Sequence, residues 1–247
     1  MMHKLNFVMA MVATSMLALN ACGPKKSQEN EADDATEAPV AQTSEDGEWI
    51  TLFDGSNLDA WRTFKSDSVR PQWQIDEEGN LWLTEKGGGD IITREQFESF
   101  EMELEWKISP KGNSGIFFHV VEADTLGNTF FSGPEFQLLD NENHPDGKIP
   151  THRTGDNYDL QSSTEETVRP VGEWNEVKLV VDNGKVEHWL NGTNVVEYQL
   201  QSPEWEEQLA KSKFTKWPLY GRAGKGHIAL QDHGDQVWFR NIRIRKL

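Results

Sequence analysis

Residues 99–108 alternate without a break: Met102, Leu104, Trp106 and Ile108 fall on one side, Glu101, Glu103, Glu105 and Lys107 on the other. A period of two belongs to an extended strand with one dry face and one wet face. The dry face needs a second layer to bury it, so this segment alone commits the chain to stacked sheets. The rest of the sequence repeats the theme in short pieces. Residues 114–121 are apolar on both faces, the mark of a central strand. Val177, Leu179 and Val181 alternate up to Asn183-Gly184, and residues 186–190 run back to Asn191-Gly192. Asn-Gly is the two-residue hairpin signal, so a three-stranded meander is expected here. Trp73-Gln74-Ile75-Asp76 and Asn80-Leu81-Trp82-Leu83 flank Glu78-Gly79 as another hairpin, and residues 227–233 and 237–245 close the chain around Gly234-Asp235. One helix is expected, with Ser202 as N-cap, Pro203 at its first position and an end near Lys213. Many short strands without a βαβ rhythm predict an all-β fold, an antiparallel β-sandwich of jelly-roll type with one short surface helix.

The 247 residues divide into three parts. Residues 1–21 read as a lipoprotein signal peptide: Lys4 is followed by an apolar stretch too short to span a bilayer, ending in Leu19-Asn20-Ala21-Cys22. Cys22 is the single cysteine and stands where lipidation needs it, so it is the expected anchor to a membrane. The expectation is an exported lipoprotein on the periplasmic or cell-surface side, in the outer membrane if the cell is Gram-negative, because no Asp follows Cys22. Residues 22–48 are acidic, without apolar periodicity, and read as a disordered tether. Residues 49–247 form one domain. A formal charge of −17 excludes nucleic acid as a partner, since phosphate neutralisation needs clustered Lys and Arg. Ten Trp residues point towards a carbohydrate ligand, because indole faces stack on sugar rings.

The candidate site centres on residues 133–160. They begin as a strand and break into a long polar loop holding two histidines and four aspartates, which favours function over mere connection. On the strand, Phe136 and Leu138 face one way and Glu135 and Gln137 the other. In residues 116–120 the same parity puts Ile116, Phe118 and Val120 on the core side and His119 opposite. Near the C-terminus, Ile228 and Leu230 point inward, leaving His227, Gln231 and His233 on the far side. If these strands share a sheet, Glu135, Gln137, Gln231, His233 and His119 converge in one groove. Asp140, His144, Asp146, His152 and Asp156 are either loop solvation or ligands for an ion, with calcium the oxygen-loving candidate for the 140–156 loop. No cofactor follows from the sequence, which shows no H-E-x-x-H, nucleophile elbow, P-loop or dinucleotide fingerprint.

Motifs in chain order carry a family resemblance: Leu52-Phe53-Asp54-Gly55 with Leu58 and Trp61, Gly112-Asn113-Ser114-Gly115-Ile116-Phe117, and Gly133-Pro134-Glu135-Phe136-Gln137-Leu138-Leu139-Asp140. Pro170-Val171-Gly172-Glu173-Trp174-Asn175, His188-Trp189-Leu190-Asn191-Gly192, Leu230-Gln231-Asp232-His233-Gly234 and Phe239-Arg240-Asn241-Ile242-Arg243 continue it. Together they resemble the bacterial 3-keto-disaccharide hydrolase family, whose fold is similar to concanavalin A-like lectins and glucanases. The resemblance implies cleavage of a glycoside already oxidised at sugar carbon 3, and a companion sugar 3-oxidoreductase to oxidise it. A ketone there acidifies the carbon-2 proton, so one base suffices to start β-elimination of the carbon-1 substituent, and hydration then completes a formal hydrolysis. The expected roles are Glu135 or His233 as base, Gln137 and Gln231 on sugar hydroxyls, Asp140, His119 and His152 as orienting or cation-holding groups, and Tyr158 or a Trp stacked on the ring. A lectin-like binding module of the same fold is the competing expectation.

Overall fold

The computed structural model describes residues 47–247. Cys22, the signal segment and the tether up to position 46 lie outside the described residues. Among those described, no helix is long and apolar enough to cross a membrane.

In chain order the strands are β1 (Trp49–Phe53), β2 (Trp61–Thr63), β3 (Trp73–Ile75), β4 (Leu81–Leu83), β5 (Ile91–Thr93), β6 (Phe100–Ile108) and β7 (Asn113–Val120). They continue with β8 (Glu135–Leu139), β9 (Asn175–Asp182), β10 (Lys185–Leu190), β11 (Thr193–Gln199), helix α1 (Pro203–Lys211), β12 (His227–Leu230) and β13 (Val237–Lys246). One sheet of eight strands runs β11-β10-β9-β6-β13-β4-β3, with β1 also paired to β13; the other runs β2-β5-β12-β7-β8. The described strand pairings are antiparallel, as the alternation requires, including β6 with both β9 and β13.

Between the sheets lie Phe100, Met102, Leu104 and Trp106 of β6, Ile116 and Phe118 of β7, Phe136 and Leu138 of β8, and Ile228 and Leu230 of β12. The wet face of β6 meets the arginines of β13 in a ladder, Glu101 with Arg245, Glu103 with Arg243 and Glu105 with Arg240. Such exposed pairs each contribute about 0–1 kcal/mol and mainly fix register. Both Asn-Gly turns form as expected, with φ of +48° and +79° at Asn183 and Gly184, and +51° and +85° at Asn191 and Gly192. These left-handed values match the strand twist in a tight hairpin.

A second, smaller apolar cluster sits on the other face of the five-stranded sheet: Ile92, Phe117, Val120 and Ala229, covered by Phe64 and Phe130. This corrects the expected parity at one point. His119 has φ +51°, and pairing jumps from Phe117↔Ala229 to Val120↔His227. Three steps on β7 therefore oppose two on β12, a bulge that reverses which side each later residue faces. Val120 turns away from the main core and His119 turns out of the groove.

The helix begins as expected, the Ser202 hydroxyl accepting the Trp205 N–H at 3.1 Å. It stops at Lys211 rather than Lys213, because the Ser212 hydroxyl accepts the Phe214 N–H at 3.1 Å and starts a separate 3-10 turn, Lys213–Lys216. That turn lies over the five-stranded sheet.

Candidate active site

The non-core face of the five-stranded sheet gathers the candidate groups. Asn113 of β7, Glu135 and Gln137 of β8, and Gln231 and His233 just beyond β12 line one pocket of about 180 Å3, with Tyr158, Phe130, Lys213 and Phe214 completing its wall. Alternation brings the strand residues to one side, and the β12–β7–β8 order makes their strands neighbours. The segment after β12 is held in place: Gln231 N–H donates to Gly115 O at 3.0 Å, and the Ser114 hydroxyl donates to Gln231 O at 2.9 Å. Asp232 turns its carboxylate away from the pocket, accepting N–H groups of Gly87, Gly89 and Gly234.

Glu135 is 5% exposed. Burial pushes its pKa well above the usual carboxylate range; the positive charge of Lys213 pulls it part of the way back, and Asp90 adds to the rise. A desolvated carboxylate is a strengthened base. Space for it comes from Gly115, where a Cβ would stand 2.1 Å from Glu135 Oε1. Beside it, Lys213 Nζ donates to the Tyr158 hydroxyl at 3.0 Å and lies 4.1 Å from the centre of that ring. Burial, then the charges of Glu135, Asp146 and Asp159, raise the Tyr158 pKa, so it stays a phenol with a proton to donate. Gln231 Oε1 is buried without a hydrogen-bond partner among the described residues. An orphaned amide oxygen lining a pocket is an acceptor waiting for a ligand hydroxyl.

Five expected residues thus meet: Glu135, Gln137, Gln231, His233 and Tyr158. The other three, His119, Asp140 and His152, do not line the pocket. His119 is buried against Phe100 and Phe118 and bonds the Glu98 carbonyl through Nε2 at 2.7 Å. Its burial lowers its pKa and leaves it a neutral packing residue at the bulge. His227 is similarly committed, Nδ1 donating to Thr93 O at 2.6 Å. Asp140 serves its own loop, accepting from the backbone of Lys111 at 2.6 Å and from Asn143. Those hydrogen bonds outweigh burial and hold its pKa below the usual range. His152 stands behind the wall: its ring lies 4.3 Å from that of Tyr158, and Nε2 is 2.9 Å from Asp159 Oδ1. It packs against Tyr158 from outside the pocket lining. Asp156 accepts the N–H groups of Arg153 and Ser163. Asp140 and Asp156 therefore spend their oxygens on amides of their own surroundings, and among the described residues no three His, Cys, Asp or Glu side chains gather as metal ligands.

Sequence reasoning missed Lys213, Phe214, Phe130, Asn113 and Asp90. Asn113 shares parity with Gly115 and was legible by alternation. The others come from turns whose position over the sheet no local period encodes. Asp90 accepts from the Thr129 hydroxyl and from Asp232 N–H, the latter at 2.9 Å, tying the Phe130 turn to the Gln231–His233 segment. Burial raises its pKa to about 6, against the hydrogen bonds from Thr129 and Asp232. A wider depression of about 690 Å3 crosses the outer face of the eight-stranded sheet. Its charged groups are already matched, Glu103 with Arg243 and Lys178 over Trp189, so it lacks the unspent chemistry of the smaller pocket.

Residues 48–245 match the family model described as a 3-keto-alpha-glucoside-1,2-lyase-like domain. A 3-keto-disaccharide hydrolase of Bacteroides thetaiotaomicron is 36% identical over 227 aligned positions, covering 81% of this chain and 78% of that protein. A provisionally named glycosyl hydrolase of Parabacteroides distasonis, solved by crystallography, superposes with a TM-score of 0.76 at 33% identity, covering 81% of this chain and 94% of that one. A Bacillus subtilis protein with a galectin-like fold shares the architecture at a TM-score of 0.53 and 14% identity, covering 82% of this chain and 97% of that one. Matched along nearly the whole described domain, the chain belongs to the 3-keto-alpha-glucoside-1,2-lyase-like domain family.

Proposed function

We propose that this pocket cleaves glycosides carrying a ketone at carbon 3 by eliminating the carbon-1 substituent. The observation that carries the reading is Glu135, a desolvated carboxylate facing a phenol and an ammonium in one small pocket. The ketone makes the carbon-2 proton acidic, and Glu135 removes it. The electron pair moves towards the ketone oxygen, where the Tyr158 O–H and the charge of Lys213 stabilise the developing enolate. Collapse of the enolate breaks the bond from carbon 1 to the leaving oxygen, which takes a proton from His233 at the exposed rim. Gln137, Gln231 and Asn113 hold ring hydroxyls. Water adding to carbon 1 of the enone gives net hydrolysis; release of the enone gives a lyase. Among the described residues, Glu135 is the single carboxylate lining the pocket. An ordinary glycosidase uses two flanking carboxyl groups, so the elimination route fits this set better.

The test is turnover of matched native and 3-keto glucosides by the purified domain, with products followed by mass spectrometry. Loss of the keto-glucoside alone is expected, and a water-sized mass difference separates hydrolysis from elimination. Cleavage of the native glucoside at an equal rate, or of neither, rules the reading out.

Lys213 supplies a second check. Its charge lowers the raised pKa of Glu135, so Lys213→Met lets that pKa climb further. The acid limb of kcat/KM against pH moves to higher pH in the variant, besides any fall in maximal rate. Lys213 is exposed and its loss leaves the core intact. An unmoved acid limb would mean that Lys213 does not act on the base.

A further inference from the structure

The pocket has two chemically different sides. Glu135, Gln137, Asn113 and Gln231 form a polar floor, whereas Phe130 and Phe214 form an apolar wall. That wall continues outward. Trp217 packs on both of its members, with ring centroids 5.3 Å from Phe130 and 5.8 Å from Phe214. Phe131 stacks on Trp217 at 4.9 Å and 17°, and meets Phe130 edge-on at 4.9 Å. Phe130, Phe131 and Trp217 are each half-buried, and Leu219 next to them is 42% exposed. The aromatic strip therefore runs from inside the pocket to solvent.

At about 180 Å3 the cavity is smaller than the roughly 300–1,000 Å3 of sites that enclose a whole drug-sized ligand. It encloses one sugar ring, and the carbon-1 substituent has to lie outside. The polar floor claims the ketone-bearing ring, because only there are amide groups available for its hydroxyls. The substituent then rests on the aromatic strip. Lys213, which adjoins the strip through Phe214, already sits over Tyr158 and Phe214 and donates to the Tyr158 hydroxyl. A second sugar would press several hydroxyls against ring carbons that cannot accept or donate hydrogen bonds. A flat aromatic group would bury its whole area there and gain edge and face contacts.

We propose that the strip formed by Phe130, Phe131 and Trp217 is a leaving-group subsite, and that this protein favours 3-keto-glycosides of aromatic alcohols over those of sugars. The inference rests on the elimination reading above and specifies its substrate class.

The test compares kcat/KM of the purified domain on the 3-keto-glucosides of methanol and benzyl alcohol and on a 3-keto-disaccharide. These alkoxides are all poor leaving groups, so differences report contact rather than chemistry. The benzyl glycoside is expected to exceed the other two at least tenfold. Phe130→Ala and Trp217→Ala, each shown by a cooperative melt to be folded, should reduce the benzyl-to-methyl ratio at least fivefold. A disaccharide used as well as the benzyl glycoside, or a ratio unchanged in both variants, overturns the subsite while leaving the elimination reading standing. Failure to cleave any keto-glycoside takes down both, and so tells the two apart.

Discussion

Glu135→Gln abolishes turnover and raises thermal stability in the same molecule. Removing a general base costs about 10²–10⁴-fold in kcat, and Gln keeps the shape while losing the charge. The stability effect follows from the direction of the pKa. Burial raises the folded value above the ordinary 4.5, so the native state binds this proton more tightly than the unfolded chain. The stabilisation that comes with the bound proton is complete below pH 4.5 and is lost as pH rises through the raised value. Gln does not titrate. Its advantage over the wild type therefore opens above pH 4.5 and levels off beyond the folded pKa, worth roughly 2–4 °C in Tm for each kcal/mol recovered. Melts across pH, with turnover measured in parallel, check both halves. A variant that loses activity and also loses stability at pH 8 would mean that Glu135 is a structural member of β8.

Gly115→Ala costs nearly as much activity without touching any group that moves a proton. The added Cβ would stand 2.1 Å from Glu135 Oε1 and 3.0 Å from its Cγ, and β7 and β8 are ladder partners that cannot separate to make room. Glu135 must rotate away. A displacement of about 1 Å at a reacting group can cost 10²-fold, and crowding of this kind costs about 1–3 kcal/mol of stability. The expected result is kcat lowered about 10²-fold with KM little changed, in a protein that still melts cooperatively. Activity within threefold of wild type would show that Glu135 has another rotamer from which it reacts equally well.

Where local periods decide structure, the sequence was readable. The β6 alternation, the Asn183-Gly184 and Asn191-Gly192 turns and the Ser202 cap each act within a few residues and behave as expected. The same parity brought Glu135, Gln137, Gln231 and His233 together, because strands β8, β7 and β12 keep their registers at that end of the sheet. It failed at His119, three residues beyond Ile116, since a bulge adds one residue to the count and nothing in Phe118-His119-Val120 announces a left-handed residue. Lys213 was hidden for a different reason. Its neighbours over the pocket, Tyr158 and Phe214, are brought there by a second cap at Ser212 and by packing across distant chain segments. The polar loop after β8 was harder to read from composition: Asp140 and Asp156 look like ligands and accept the loop's own N–H groups.

The polar floor and the apolar wall of the pocket stand on backbone of different kinds. Glu135, Gln137 and Asn113 belong to paired strands, whereas Phe130 and Phe214 sit on two separate 3-10 turns, Thr129–Phe131 and Lys213–Lys216. A strand residue cannot shift without disturbing its ladder; a turn residue can be exchanged with few neighbours consulted. Descent from a common ancestor would then keep the reaction and trade the clientele. On the reading proposed above, proteins of this lineage can change which glycosides they accept by rewriting a few aromatic codons in two turns, while the strand that carries Glu135 passes on unaltered.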